Sequence, residues 1–231
     1  MKFLVIEGLD GAGKSTQVAM LKNWFSEQGI PFGYIHFPRV DAPVFGDLVG
    51  RYLRGELGKI EDVNPYLVAL LFAGDQKDAS GQIRQWRKKS KYVLVDRYVY
   101  SNIAYQCAKF KTEKERMELM QWILKTEFDH FCIPKPDLSI YLNVPHDFVK
   151  SQLVNNKRGG GERSYLKGKD DLHEADIDYQ WEVRKMYEMM IRKNIGLEAL
   201  NCGDASDKML PADAIFRKLI EMLKHKGIVN L

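Results

Sequence analysis

A chain of 231 residues that is 45% hydrophobic and 29% charged has the balance of a globular protein, which excludes a disordered or fibrous one and suits a single domain spanning 1–231. The 35 Lys and Arg against 31 Asp and Glu leave a net charge of +4, too mild to point to a duplex-binding surface, so no nucleic-acid partner is expected. Three scattered cysteines, Cys107, Cys132 and Cys202, exclude a disulfide framework and a paired CxxC zinc site and fit a reducing cytoplasm, while apolar runs that stop at Glu7 and span only Leu67 to Ala73 predict neither signal peptide nor membrane association.

The first β-rich run, Lys2 to Glu7, leads directly into Gly8-Leu9-Asp10-Gly11-Ala12-Gly13-Lys14-Ser15, which satisfies G-x-x-x-x-G-K-[ST] and opens an amphipathic helix. In that setting Gly8, Gly11 and Gly13 let the loop amides, Ala12 included, turn inward around phosphate oxygens. The helix start at Lys14, Ser15 and Thr16 presents its positive end, Lys14 adds a point charge and Ser15 can ligate Mg²⁺. The expected ligand is a nucleoside triphosphate. The bland alternative is a Gly-rich turn capped by Ser15 or Thr16.

A second run, Gly33 to Phe37, precedes a long segment of helical spacing in which Leu67, Leu70 and Leu71 form an apolar stripe. Phe72 lies about 140° from Leu67 at about 100° per residue, off that stripe, and Gln76 shares its face one turn on. Arg87, Lys88, Lys89 and Lys91 then read as a solvated helix-to-strand connection. The third run, Tyr92 to Asp96, ends in a carboxylate where a phosphate-loop protein places its metal-side acid, although Asp96 could instead cap a helix. Arg97 stands beside it as a planar fork suited to a phosphate, with an Asp–Arg ion pair as the structural alternative. Leu138 to Asn143 and Leu197 to Asn201 complete the strands. Between them Lys157, Arg158, Arg163, Lys167 and Lys169 face only Glu162 in a stretch holding Gly159 to Gly161, a cationic loop that suits an anionic ligand. Alternating strands and helices predict a three-layer α/β/α fold with a five-stranded parallel sheet of the P-loop NTPase type, with ligands at the carboxyl ends of the strands.

Taken together, six segments resemble the thymidylate kinases: Ile6 to Thr16, His36-Phe37-Pro38-Arg39, Leu70 to Asp75, Asp96-Arg97-Tyr98 with Ser101-Asn102, Lys157 to Tyr165, and Gly203-Asp204-Ala205-Ser206. Their order and spacing run through nearly the whole chain. The resemblance implies an enzyme that moves the γ-phosphoryl of ATP to dTMP with Mg²⁺ held near Ser15 and Asp96. It implies Phe72 as the plate on which the acceptor base stacks, Asn102 at the base's N3 edge, and Tyr105 under the sugar's 2′ carbon, where it selects deoxyribose. Phe37 joins the acceptor site, Arg39 and Arg97 grip the acceptor phosphate, and Asp10 contacts the 3′ hydroxyl or orients an arginine.

The chain departs from that pattern at two places. Gln76 stands where the family usually has an arginine donating to the thymine carbonyl, so the contact becomes neutral and the base preference can change. Gly11 stands where one branch carries a catalytic arginine; the resemblance then moves that duty to a lid over about 156–172, to Arg163 ahead of Lys157, with Arg158 on the adenine face and the backbone around Ala205 at the adenine edge. The rivals are a kinase for another deoxynucleoside monophosphate and a P-loop sensor without turnover. A GTPase is excluded because the only Asn-Lys pair, Asn156-Lys157-Arg158-Gly159, fails N-K-x-D. The resemblance also implies a homodimer, for which the apolar faces at Tyr66 to Leu71 and Glu113 to Phe128 are available, though both serve a monomer core equally well.

Overall fold

The computed structural model describes residues 2–59, 62–151 and 177–229. Five strands, β1 (Lys2–Glu7), β2 (Phe32–His36), β3 (Tyr92–Asp96), β4 (Leu138–Asn143) and β5 (Leu197–Asn201), form one parallel sheet in the order β2-β3-β1-β4-β5. β1 is therefore central, and Phe3 to Glu7 are buried on both faces. A strand covered twice must be apolar throughout, which is why FLVI reads as an unbroken run rather than an alternation. The carboxylate that ends it, Glu7, is the exception that needs explaining.

Helix α1 (Lys14–Glu27) follows β1 and packs with α7 (Ala212–His225), tied to it where Gln17 Nε2 donates to the Ala212 carbonyl at 3.0 Å. Phe25 of α1 stacks on Tyr92 of β3 at 4.7 Å. The other layer is built around α4 (Val99–Cys107), which touches α3 (Pro65–Lys89), α5 (Glu113–Leu124) and α6 (Ile177–Arg192). A short helix, α2 (Phe45–Leu53), lies against α3 over a small separate core of Val49, Tyr52, Leu53 and Val68.

The five strands fall where the pattern predicts, with one of them displaced by a residue at both ends: β2 is Phe32–His36 rather than Gly33 to Phe37, and Phe37 leaves it into a cis Phe37–Pro38 turn. The basic group also shifts, since Arg87, Lys88 and Lys89 are the last turn of α3 and favour its negative end. Helix α5 is held at its start by a Thr112–Glu115 capping box and does not run to Phe128 as a plain helix. From Lys125 to His130 it widens into a π-helical turn, with Phe131 N bonded to the Thr126 carbonyl at 2.8 Å.

Two of the three leucines of the apolar stripe expected on α3 do not join the core. Leu67 is 61% and Leu70 37% exposed, whereas the buried face carries Val68, Ala69, Ala73, Gly74, Asp75, Gln76 and Ala79. Small residues let α3 approach its neighbours closely: a Cβ on Gly74 would collide with the Phe45 ring of α2. Leu67 and Leu70 turn away from that face, while Leu71 packs half-buried against the α2 core. Two buried polar side chains, Asp75 and Gln76, thus sit where hydrophobic spacing gives no warning.

Candidate active site

The carboxyl edges of β1 and β3 lie side by side, with Ile6 level with Asp96, so the loop after β1 and the residue after β3 converge. Gly11 and Gly13 take φ of 75° and 78°, left-handed values that an L side chain rarely adopts. Gly13 is the N-cap of α1 and no side chain caps that helix, so the alternative of a turn capped by Ser15 or Thr16 fails. Gly8 and Ala12 are buried, Ser15 and Thr16 exposed. The Lys14 ammonium folds back over the loop and donates to the Leu9 carbonyl at 2.7 Å and the Gly8 carbonyl at 3.2 Å. Burial, then the Arg97 charge, bring its pKa down to about 8.

Arg97 reaches across to this loop. Its backbone has φ of 64°, its N–H donates to the Ile6 carbonyl at 2.9 Å, and its guanidinium meets Asp10 Oδ1 at 2.5 Å. Asp10 Oδ2 also accepts from Tyr105 Oη at 2.7 Å and Gln180 Nε2 at 3.0 Å. Burial pushes Asp10 up, but Arg97, Lys14 and these donors outweigh it and hold the carboxyl well below the usual range. Asp10 is thus bonded directly to the Arg97 guanidinium. The Arg97 guanidinium lies over the Tyr105 ring, 5.2 Å from its centroid.

Behind Arg97 sits Glu7, fully buried, which the residue pattern did not single out. Its Oε1 accepts the Tyr98 and Ser101 amides at 3.0 and 3.3 Å, and its Oε2 accepts from the Ser101 hydroxyl and from Tyr187 Oη at 3.2 Å. Ser101 Oγ in turn accepts from Arg97 Nη1 at 3.3 Å. Glu7 therefore sets the first turn of α4 and, through Ser101, steadies the arginine. Burial raises its pKa to about 7. The sequence signal was present: a carboxylate closing an otherwise apolar central strand.

Asp96 ends β3 as expected and is not a helix cap, because Tyr98 occupies that position. Its Oδ2 pairs with His36 Nδ1 at 3.2 Å, while its buried Oδ1 has no partner among the described residues. Arg39 does not project freely. Its N–H and Nε bond to the two Asp75 oxygens at 2.8 Å each, and Nη2 reaches Asp78 at 2.6 Å. Asp75, buried and overlooked at sequence level beyond its place in Leu70 to Asp75, is what aims it. Phe37 is buried with its ring 5.8 Å from Tyr98, inside the core. Phe72 is half-buried against the α2 core.

On the same α3 face Gln76 is buried with Oε1 unpartnered among the described residues. Asn102 donates from Nδ2 to the Ala69 carbonyl at 3.0 Å and to Glu127 Oε1 at 2.8 Å, leaving its own buried Oδ1 without a partner there. Ala205 is exposed in the turn after β5. Arg158, Arg163, Lys157 and the lid at 156–172 lie outside the described residues.

A family model described as thymidylate kinase matches residues 6–201. The chain belongs to the thymidylate kinase family. It is 32% identical over 184 residues to the thymidylate kinase of Mycobacterium tuberculosis, covering 80% of this chain and 83% of that one. It is 27% identical over 226 residues to a probable thymidylate kinase of Pyrococcus abyssi, covering 97% and 96%. A structure of thymidylate kinase from Candida albicans superposes with a TM-score of 0.69 at 24% identity, over 98% of this chain and 92% of that one, and shares the fold. Family membership makes this an ATP-dependent nucleoside monophosphate kinase.

Proposed function

We infer that the enzyme transfers the γ-phosphoryl group of ATP to dTMP, giving dTDP and ADP. The observation that carries the reading is Arg97, held in a left-handed backbone and clamped by Asp10 of the loop after β1, so that one guanidinium fork is fixed beside that loop, which supports it as a grip for phosphate. Phosphoryl transfer requires positioning and charge neutralisation rather than covalent chemistry from the protein.

In this reading the loop amides of Gly11 to Thr16 and the Lys14 ammonium take the donor's β- and γ-phosphates. Lys14 exchanges its bonds to the Gly8 and Leu9 carbonyls for phosphate oxygens. Arg97 and Arg39, aimed by Asp10 and Asp75, hold the acceptor phosphate in line. That phosphate is already an anion, so no general base is needed. Tyr105 and Phe72 bound the sugar and base, and Asn102 and Gln76 supply polar atoms at the base edge. Lid residues Arg163 and Arg158 complete the set as the transition-state cation and the adenine neighbour.

Mg²⁺ is typically held by one or two protein oxygens plus substrate phosphates. The donors here are of that kind: the exposed Ser15 hydroxyl at the start of α1, and Asp96, whose buried Oδ1 lacks a partner among the described residues. Bound there, the ion would supply charge neutralisation for the donor phosphates. Leu67 and Leu70, exposed on α3, support pairing of two copies through that helix, and three free thiols support a cytoplasmic enzyme. Among the described residues no helix is long and apolar enough to cross a membrane.

Gln76 favours one second reading, a kinase for a different deoxynucleoside monophosphate. ADP release measured with dTMP, dUMP, dCMP, dGMP and AMP in turn separates the two. We expect dTMP to give the highest kcat/KM; any other order of preference overturns the substrate assignment.

A further inference from the structure

The π-helical turn that ends α5 carries a carboxylate into the protein. Leu119, Met120 and Ile123 are the buried face of α5, and Glu127, one turn beyond Ile123, continues that face where an apolar side chain belongs. Glu127 is fully buried, and among the described residues the only hydrogen-bond partner of its carboxyl group is Asn102 Nδ2. An acid placed there at such desolvation cost must serve a polar neighbour.

The neighbour's geometry shows what is served. A primary amide has two N–H donors and one carbonyl acceptor. The Ala69 carbonyl can only accept, so it fixes which end of Asn102 is nitrogen and occupies one N–H; Glu127 Oε1 occupies the other. With both donors spent, Asn102 has only Oδ1 left to offer, and that oxygen is buried without a partner among the described residues. Ala69, Ala73 and Gln76 follow one another at helical spacing on the buried face of α3. Asn102 meets this stripe at Ala69, two turns from Gln76, whose buried Oε1 is likewise unpartnered there.

We propose that Glu127 is a positioning residue for base selection: by taking the second Nδ2 proton it makes Asn102 an acceptor only, so the acceptor site takes a pyrimidine with a proton on N3 and rejects one with a lone pair there. The inference rests on the acceptor assignment of the preceding section. Thymine and uracil carry an N3 proton and satisfy Oδ1. Cytosine presents N3 as a lone pair, leaving two acceptors face to face in a desolvated site, and Asn102 has no spare N–H with which to adapt. Discrimination comes from removing an alternative hydrogen bond rather than from adding a contact. Burial raises the Glu127 pKa to about 8, so near neutrality the group accepts from Asn102 without placing a full charge behind the base.

The test is kcat and KM for dTMP, dUMP and dCMP in the wild type and in Glu127→Met, Glu127→Asp and Glu127→Gln. Methionine fills the space without an acceptor, and aspartate keeps the acid but falls one methylene short; both free an Asn102 N–H. Each should lower the dTMP-to-dCMP ratio of kcat/KM by about tenfold, chiefly through KM. The dTMP-to-dUMP ratio should not move, because the 5-methyl group is not read by Asn102. Glutamine, which can present Oε1 in the same place, should restore the wild-type ratio to within about twofold. A purely structural role would depress all three acceptors together. The inference is overturned if either shortened or apolar variant, shown folded by its melting transition, keeps the wild-type dTMP-to-dCMP ratio, or if glutamine loses it as fully as methionine does. A wild type that does not favour dTMP would instead sink the substrate assignment itself, a result read before any variant is made.

Discussion

Replacing Glu7 by glutamine isolates one buried proton and measures what it does to stability. Burial raises this carboxyl from 4.5 to about 7, against the opposing pull of Ser101, Arg97, the Tyr98 amide and Tyr187. The folded chain therefore keeps a proton that the unfolded chain releases between these pH values. Stability contributed by the neutral form is complete below pH 4.5 and is lost as pH rises through 7. At about 1.4 kcal/mol per pH unit that interval is on the order of 3 kcal/mol. Glutamine is neutral throughout and can offer an oxygen to the Tyr98 and Ser101 amides and a nitrogen to the Ser101 and Tyr187 hydroxyls. Urea unfolding followed by the fluorescence of the four tryptophans gives the difference between Glu7→Gln and wild type at pH 4.5, 6 and 8. That difference should move in favour of the variant by about 3 kcal/mol across the series. Because Glu127, Lys14 and Lys109 titrate in both proteins, their contributions largely cancel. A difference independent of pH would refute the claim that Glu7 is protonated by burial.

Two further outcomes follow from the same geometry. Asp10→Asn leaves the largely buried Arg97 without its anion and should cost about 3 kcal/mol or more of unfolding free energy, together with a fall in kcat/KM for dTMP; wild-type stability in denaturant titrations would show that the pair is dispensable. Gly13→Ala meets no neighbouring atom, so its cost is backbone strain alone, about 1–2 kcal/mol at φ of 78°. Its KM for ATP should rise more than its KM for dTMP, and equal changes in both would argue against Gly13 shaping the donor site.

Much of the architecture was legible because buried parallel strands write themselves as short apolar runs. All five runs became strands, and the loop after the first, the acid at Asp96 and the arginine beside it occupy the expected places. What was illegible is what a linear pattern cannot encode. The leucines of α3 look like a core stripe, yet close packing demands the face with Ala69, Ala73 and Gly74, and Leu67 and Leu70 are turned outward. Glu7, Asp75 and Glu127 do their work by contacting residues 94, 36 and 25 positions away in sequence, and no local spacing predicts such partners. Glu7 did leave a trace, a charge closing an otherwise apolar run. Arg39 shows the complementary case, a cation readily picked out by its place after Pro38 whose aim depends on a carboxylate that spacing alone does not reveal.

The central claim is that phosphoryl transfer takes place over the loop at Gly8 to Ser15, with Lys14 neutralising the donor phosphates. The most direct measurement is steady-state ADP formation from ATP and dTMP by wild type and by Lys14→Met, with the melting transition recorded for both. Wild type should turn over dTMP continuously, and the variant, folded but lacking the ammonium, should lose about 10²-fold or more in kcat/KM. Turnover by Lys14→Met at the wild-type rate would contradict the account.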